Sequence, residues 1–287
     1  MPSVVVMDDI DEEGLELLRE RGFEILPREN FEEADAMIVR GATKVNKELL
    51  DRCKKLKLVV RAGVGLDNID VEYAKQKGIE VRNTPRATVI SVAELTLGLI
   101  LSALRMIPQA HISTKGGNWE KKRFMGSELY GKRVGLVGLG NIGLEVAKRC
   151  EAFGAEVVYY DIVDREIYRK LSLEELFRTS DIVSLHLPLN PSTEGMINYD
   201  LLSLLKPNAI LVNTARGNLI RKEDLLKFLK ERKDVVVALD VFWKEPPEGE
   251  ILEIENVILT PHIGAQTKEA QRRASTEAAR IIIEFFQ

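Results

Sequence analysis

The chain has no long apolar run. Its most apolar stretch, Leu95 to Leu104, is interrupted by Gly98 and Ser102 and followed by Arg105 and Pro108, far short of the ~20 apolar residues that cross a bilayer. The amino-terminal MPSVVVMDDI has no basic region ahead of its apolar residues, so it reads as a first strand rather than a signal peptide. These absences predict a soluble, cytoplasmic chain with no membrane partner. Cysteine is scarce too. Cys53 and Cys150 are too few and too scattered for a disulfide framework or a zinc site, and no metal is expected. Net charge is also small, −4 with a pI near 5.7, which argues against nucleic acid as a partner. An anionic ligand would need a local basic cluster.

What is present is enough for two cores. The chain has 287 residues, 45% hydrophobic and 30% charged, a globular composition long enough for two domains. Short apolar runs at Val4–Met7, Glu24–Leu26, Ala36–Val39, Leu58–Val60 and Ile79–Val81 predict strands, with helical patterns near 11–21, 46–53 and 70–77. Alternation of this kind points to an α/β unit with a parallel sheet. After Pro85 a helix over about 88–107 leads away from it. A second alternating series starts at Val134 and continues through Val157–Tyr160, Ile182–Leu185, Ala209–Val212, Val235–Leu239 and Val257–Leu259. The last helical pattern, about 267–286, carries Ala270, Ala274, Ala278, Ile281, Ile282 and Phe285 on one face and could pack on either domain.

The second series opens on Gly138-Leu139-Gly140-Asn141-Ile142-Gly143, between the apolar run Val134–Val137 and a helical pattern. Glycines at a strand-to-helix turn suit a dinucleotide. Gly138 allows the tight turn, Gly140 lets a pyrophosphate approach the backbone, Gly143 lets helix and strand pack, and the helix N-terminus supplies amide donors. The next strand ends at Asp161, 23 residues after Gly138, where a ribose-binding acid belongs. A carboxylate there repels a 2′-phosphate, and Ile162 and Val163 supply no arginine to neutralise one, so NAD is expected rather than NADP.

Three residues downstream could carry chemistry. His262 follows the strand ending near Leu259, Arg216 follows the strand ending at Val212, and Glu245 precedes two prolines. Ligands bind beyond the carboxyl ends of open parallel sheets. Taken singly, each also has an ordinary reading, a surface or core histidine and two solvated loop charges.

Together, and in this order and spacing, GLGNIG (138–143), Asp161, NTARG (213–217), EPP (245–247) and PHIGA (261–265) resemble the D-2-hydroxyacid dehydrogenase family. The resemblance extends over nearly the whole chain. RGATKV (40–45), RAGVGLDNID (61–70), NTP (83–85), VAELTLGLIL (92–101) and KKRFMGSELYGK (121–132) are similar to the branch of that family acting on a phosphorylated hydroxy acid. The implied fold is α/β in two domains, a Rossmann dinucleotide-binding domain over 92–266 inserted into a smaller flavodoxin-like substrate domain over 1–91 and 267–287.

The resemblance implies NAD-dependent oxidation of 3-phosphoglycerate to 3-phosphohydroxypyruvate, the entry step of serine synthesis. His262 would exchange a proton with the substrate oxygen, Glu245 would orient it, and Arg216 would hold the substrate carboxylate. Cofactor contacts carry over to Val64, Gly138, Gly140, Asn141, Ile142, Gly143, Asp161, Leu187, Pro188, Thr214, Ala215, Arg216, Asp240, His262, Gly264 and Ala265. Substrate contacts carry over to Arg40, Thr43, Arg61, Gly63, Val64, Gly65, Arg123, Arg216 and His262, with Arg123 contributed by the same or a neighbouring subunit. His186 reads as a strand terminator. About 25 residues follow His262, so inhibition by serine through a further regulatory domain is not expected. A sibling glyoxylate, hydroxypyruvate or D-lactate reductase, and a dinucleotide-sensing corepressor of the same fold, share the cofactor features. The sparsely charged helix from Val89 to Ile107 suggests a homodimer contact.

Overall fold

The computed structural model describes residues 1–287, and the chain divides into two compact units, Met1–Ser91 with Ala265–Gln287, and Val92–Gly264. In chain order the first unit opens with β1 (Ser3–Val6), α1 (Glu12–Glu20), β2 (Glu24–Leu26), β3 (Ala36–Val39), α2 (Lys47–Arg52), β4 (Leu58–Arg61), α3 (Val71–Gln76) and β5 (Glu80–Asn83). Next come α4 (Val89–Arg105), within which one unit gives way to the other, α5 (Ile107–Lys115), β6 (Arg133–Val137), α6 (Asn141–Ala152), β7 (Glu156–Tyr160) and β8 (Arg169–Lys170). The second unit is completed by α7 (Leu173–Thr179), β9 (Ile182–Leu185), α8 (Tyr199–Leu202), β10 (Ile210–Asn213), α9 (Lys222–Glu231), β11 (Val236–Leu239) and β12 (Val257–Leu259). The last helix, α10 (Lys268–Phe286), returns to the first unit.

In the first unit five parallel strands lie in the order β2-β1-β3-β4-β5, the flavodoxin-like arrangement. Both sheet faces are covered, which is why β3 and β4 read as unbroken apolar runs rather than alternating ones. One face packs Val4, Ile38, Leu58 and Val60 against Ala274, Ala278 and Ile282 of α10. The other packs Met37, Val39 and Val59 against Leu50 and Ala74. The final helix therefore belongs to this unit. Its closest neighbour is α1, where a Cβ on Gly14 would come within 2.1 Å of Ser275 Oγ. Ser275 Oγ donates to the carbonyl of Asp11 at 2.6 Å, stitching the two helices.

The second unit is a seven-stranded parallel sheet ordered β12-β11-β10-β9-β6-β7-β8. Strand order reverses between β6 and β9, the topological reversal at which a doubly wound sheet opens a crevice. One face is filled by Phe177, Phe228, Leu211 and Val237. The other is filled by Leu136, Val146, Ala147 and Tyr159, together with Ala93, Leu99, Ile100, Ala103 and Leu104 of α4.

Much of the apolar face of α4 packs into its own domain core, at Ala93, Leu99, Ile100, Ala103 and Leu104, while Ile90 stays exposed. Contrary to the sequence pattern, the helix does not run on to 107. Met106 takes a left-handed conformation (φ 51°), and the chain restarts as α5 with Pro108 in its first turn and a bend of 63°. Proline lacks the amide that an interior turn requires, so it favours a helix start. Exposed apolar side chains lie on α4 at Ile90 and, beyond the bend, at Ile107, Ile112, Trp119, Met125 and Tyr130. No single helix is long and apolar enough to cross a membrane.

Candidate active site

The glycine turn lies where β6 meets α6. Gly138 has φ +100°, a backbone that side chains resist, and a Cβ there would stand 2.8 Å from the carbonyl oxygen of His186. Gly143 is packed on the turn itself, since its Cβ would fall 2.3 Å from the Gly138 carbonyl oxygen. Gly140 differs. Nothing lies within 4 Å of the position a Cβ would take there, and as N-cap of α6 it brings no side chain to cover the first amides. Open space above helix N–H groups is a cradle for an anion such as a pyrophosphate.

Asp161 directly follows the next strand, β7. Its Oδ2 accepts from the Leu139 amide at 2.7 Å and its Oδ1 from the Val163 amide at 3.0 Å. The carboxylate thus holds the glycine loop while keeping lone pairs for a ribose hydroxyl. Ile162, next to it, is 90% exposed and offers nothing to a phosphate. Across the reversal, His186 pairs through Nε2 with Ser184 Oγ at 2.9 Å. Burial pushes its pKa down to about 4, so it is neutral near pH 7. Leu187 and Pro188 follow directly, and Leu187 Cδ2 reaches 3.0 Å from the Cβ position of Gly138. These groups fit a dinucleotide.

The three chemical candidates sit on loops after β10, β11 and β12, which are neighbours in the sheet. After β10, fully buried Asn213 clamps the turn, accepting from the Ala215 amide at 3.0 Å and donating to the Arg216 carbonyl at 2.8 Å. The Arg216 guanidinium donates to the Ala215 carbonyl at 2.6 Å. Gly217 then lets this loop meet the next, for a Cβ there would lie 2.2 Å from the Phe242 carbonyl. Trp243 Nε1 donates to the Ile220 carbonyl at 2.6 Å, a second tie.

After β11, Asp240 is 1% exposed. Oδ1 accepts from the Ile263 amide at 2.9 Å and from Thr260 Oγ1 at 2.6 Å, and Oδ2 accepts from the Gly264 amide at 2.8 Å. Charge-assisted bonds of this sort are strong, and here they fix the loop that carries His262. His262 itself has φ 52°, an uncommon conformation for a residue with a Cβ. Its Nδ1 lies 2.7 Å from Glu245 Oε2, and Glu245 Oε1 accepts from the Phe242 amide at 3.3 Å. A carboxylate only accepts, so Nδ1 carries the hydrogen and Nε2 keeps its lone pair. His262 is half exposed, at 51%, so Nε2 is positioned for proton exchange with a ligand.

The remaining sequence candidates lie in the first unit or on a separate loop. Arg40 directly follows β3, and Arg61 ends the adjacent β4, where it pairs with Val39. Gly63 has φ +154°, and a Cβ there would collide with the Arg61 guanidinium at 1.9 Å; glycine makes room for that cation. Val64 and Gly65 continue the loop, and Asn83 Nδ2 donates to the Val64 carbonyl. Arg40 Nη1 donates to the Asp9 carbonyl at 3.2 Å. Thr43 donates from both amide and hydroxyl to Asp8, at 3.2 and 2.7 Å, so its proton is already committed. Ala265 opens the return to this unit and accepts from Gln271 Nε2 at 2.7 Å. Arg123 belongs to the second unit, on an exposed loop where it pairs with Glu120 at 3.2 Å.

Sequence reasoning missed the residues that hold these loops. Asp8, Asn68, Thr96 and Asn213 act through bonds to backbone or to partners far away in the chain. Asn68 Nδ2 donates to the carbonyls of Arg40 and Thr43, at 2.7 and 2.6 Å, and only the fold brings them together. Asn213 did carry a local signal, being an amide side chain at the first position of a turn. The cysteines take no part. Burial pushes Cys53 up to about 11 and Cys150 up to about 12, so neither forms a thiolate near neutrality.

The family model for the D-isomer specific 2-hydroxyacid dehydrogenase NAD binding domain matches residues 97–264. The chain is 45% identical, over 98% of its length, to D-3-phosphoglycerate dehydrogenase of Methanocaldococcus jannaschii, of which it spans 57%. It thus covers little more than half of that longer relative. It is 46% identical to hydroxypyruvate reductase of Thermotoga maritima, over 96% of this chain and 95% of that one. Among solved structures, NAD+-bound 3-phosphoglycerate dehydrogenase of Entamoeba histolytica matches with a TM-score of 0.86 and 32% identity, covering 99% of this chain and 95% of that one. With the glycine turn, the strand-end acid and the His262–Glu245 pair in place, the chain belongs to the D-isomer specific 2-hydroxyacid dehydrogenase family, and its second unit is that family's NAD-binding domain.

Proposed function

We propose that this chain oxidises 3-phosphoglycerate to 3-phosphohydroxypyruvate with NAD. The observation carrying the dehydrogenase chemistry is the 2.7 Å bond from His262 Nδ1 to Glu245 Oε2, which leaves Nε2 as the base for the C2 hydroxyl proton. Glu245 then balances the imidazolium that forms. Arg216 binds the substrate carboxylate, a planar fork suited to two oxygens, and stabilises charge on the C2 oxygen in the reverse direction. Gly138, Gly140, Asn141, Ile142, Gly143 and Asp161 hold the dinucleotide, with Leu187, Pro188, Thr214, Ala215, Asp240, Gly264 and Ala265 as its further contacts. When bound, NAD supplies the acceptor for the C2 hydride.

The phosphate falls to Arg40, directly after β3, and Arg61, the last residue of β4. Thr43, whose hydroxyl already donates to Asp8, contributes position rather than a donor. Arg123 joins from an exposed loop of this or a second copy, and the exposed apolar residues of α5 and the segment after it make a homodimer the favoured assembly. The phosphoglycerate dehydrogenases among the relatives support this substrate.

A second reading, reduction of hydroxypyruvate, is favoured by the Thermotoga maritima relative, which matches almost end to end. Following NADH absorbance with 3-phosphohydroxypyruvate, hydroxypyruvate, glyoxylate and pyruvate separates the two. A preference of about a hundredfold in kcat/KM for the phosphorylated acid, roughly 2.7 kcal/mol, is expected. Equal or better use of an unphosphorylated acid would reject it and leave the dehydrogenase family intact. Arg40→Ala and Arg61→Ala should erase that preference while changing hydroxypyruvate turnover little.

A further inference from the structure

Two threonines 118 positions apart meet inside the second unit. Thr96, on α4, is fully buried, and Thr214, in the loop after β10, is 8% exposed. Their hydroxyl oxygens are 2.8 Å apart. Thr96 Oγ1 also lies 2.8 Å from the Val92 carbonyl oxygen, one helical turn back.

A proton inventory settles the direction of this chain. A carbonyl has no hydrogen, so the bond to Val92 uses the only proton Thr96 owns. The Thr96 oxygen is then an acceptor towards Thr214, and Thr214 must donate to it. With its single proton spent inside the protein, Thr214 keeps only lone pairs for anything beyond the loop. Had Thr96 been apolar, the Thr214 proton would be free to point outwards.

We infer that Thr96 is a positioning residue that sets Thr214 as an obligate hydrogen-bond acceptor, matched to a donor on the nicotinamide riboside half of the cofactor. The donor is either the carboxamide –NH2 or a ribose hydroxyl. A carboxylate or phosphate oxygen is disfavoured at the same spot, which helps keep the anionic substrate on Arg216. The inference rests on the dinucleotide reading of the site above, with Thr214 at its nicotinamide end.

The test measures dissociation constants of the purified full chain by fluorescence for NADH, for the reduced acetylpyridine analogue, which lacks the carboxamide –NH2, and for ADP, which lacks the nicotinamide riboside. Thr96→Val, isosteric but without the hydroxyl, should weaken NADH about fivefold, the worth of one hydrogen bond. Thr96→Ser should restore it. Thr214→Val should weaken NADH similarly, and the double variant should be no weaker than either single one, because both break the same chain. ADP should bind all of them equally. If the analogue is insensitive to the variants, the donor is the carboxamide; if it suffers as NADH does, the donor is a ribose hydroxyl.

NADH binding unchanged in Thr96→Val, no rescue by serine, or an equal loss for ADP would each overturn the inference while leaving the dinucleotide site standing. Wild-type protein that fails to bind NADH would overturn both. Should Thr96→Val melt early, Thr214→Val leaves the Val92 bond intact and carries the same comparison across the three ligands.

Discussion

His262 Nδ1 stands 2.7 Å from Glu245 Oε2, and the imidazole in that pair is carried on a left-handed backbone, φ 52°. An uncommon conformation persists only where surrounding bonds over-determine it. Here they are the three that Asp240 accepts from Thr260, Ile263 and Gly264.

Replacing Glu245 by glutamine therefore keeps the shape and removes the charge. The amide can present its nitrogen to the ring and stabilise the wrong tautomer, with the hydrogen on Nε2. We expect kcat to fall about a hundredfold or more, in line with lost general acid–base catalysis, with the NADH dissociation constant unchanged. Steady-state kinetics beside fluorescence titration checks this. A loss confined to cofactor affinity would contradict the pairing.

Gly217→Ala tests how the loops are joined. The added methyl would lie 2.2 Å from the Phe242 carbonyl, and backbone rather than a flexible side chain would have to move. Overpacking of this kind costs about 1–3 kcal/mol. A thermal melt should drop by several degrees, and activity should fall further than the melt implies, because Arg216 and Glu245 stand on the two loops being separated. An alanine variant with wild-type turnover would refute the contact.

Cofactor preference should turn on Asp161. Asp161→Ser with Ile162→Arg removes the carboxylate that repels a 2′-phosphate and adds a cation on a neighbour that is 90% exposed. Use of NADPH should rise and that of NADH fall, each by about tenfold in kcat/KM, one ionic contact's worth. Because Asp161 also holds the Leu139 amide, a modest loss of stability should accompany the switch. Unchanged selectivity would place the ribose elsewhere.

Acid stability should report on His186. Burial pushes its pKa from the usual 6.5 down to about 4, so between those values the unfolded chain binds more protons than the folded one. Stability should then be full above pH 6.5 and decline as pH falls towards 4. In urea melts, His186→Gln should flatten that slope within this window. An identical pH dependence in both proteins would assign the acid sensitivity to other groups.

Local chemistry was legible in the chain before any folding. Apolar runs such as Ala36–Val39 and Ile182–Leu185 announce buried parallel strands, because a strand covered on both faces has no polar alternation to hide it. Gly138, Gly143 and Asp161 were legible because one turn demands them within a short span. The bend at Met106 was not, since the apolar pattern runs through it and Pro108 suits a helix start as well as a helix end. Nor could the pattern on α10 say which sheet it covers; the close approach of Gly14 to Ser275 decides that.

Sequence by itself determined the strands, the cofactor turn and which residue types were at hand for proton transfer, all consequences of neighbours along the chain. Only the tertiary structure decided how they act. Which nitrogen of His262 faces Glu245, that the Thr43 hydroxyl donates to Asp8, and that Thr214 meets Thr96 are set by bonds between residues 17, 35 and 118 positions apart. A hydroxyl has one proton and a carboxylate has none, so the direction of each such bond is fixed only once the partners have met.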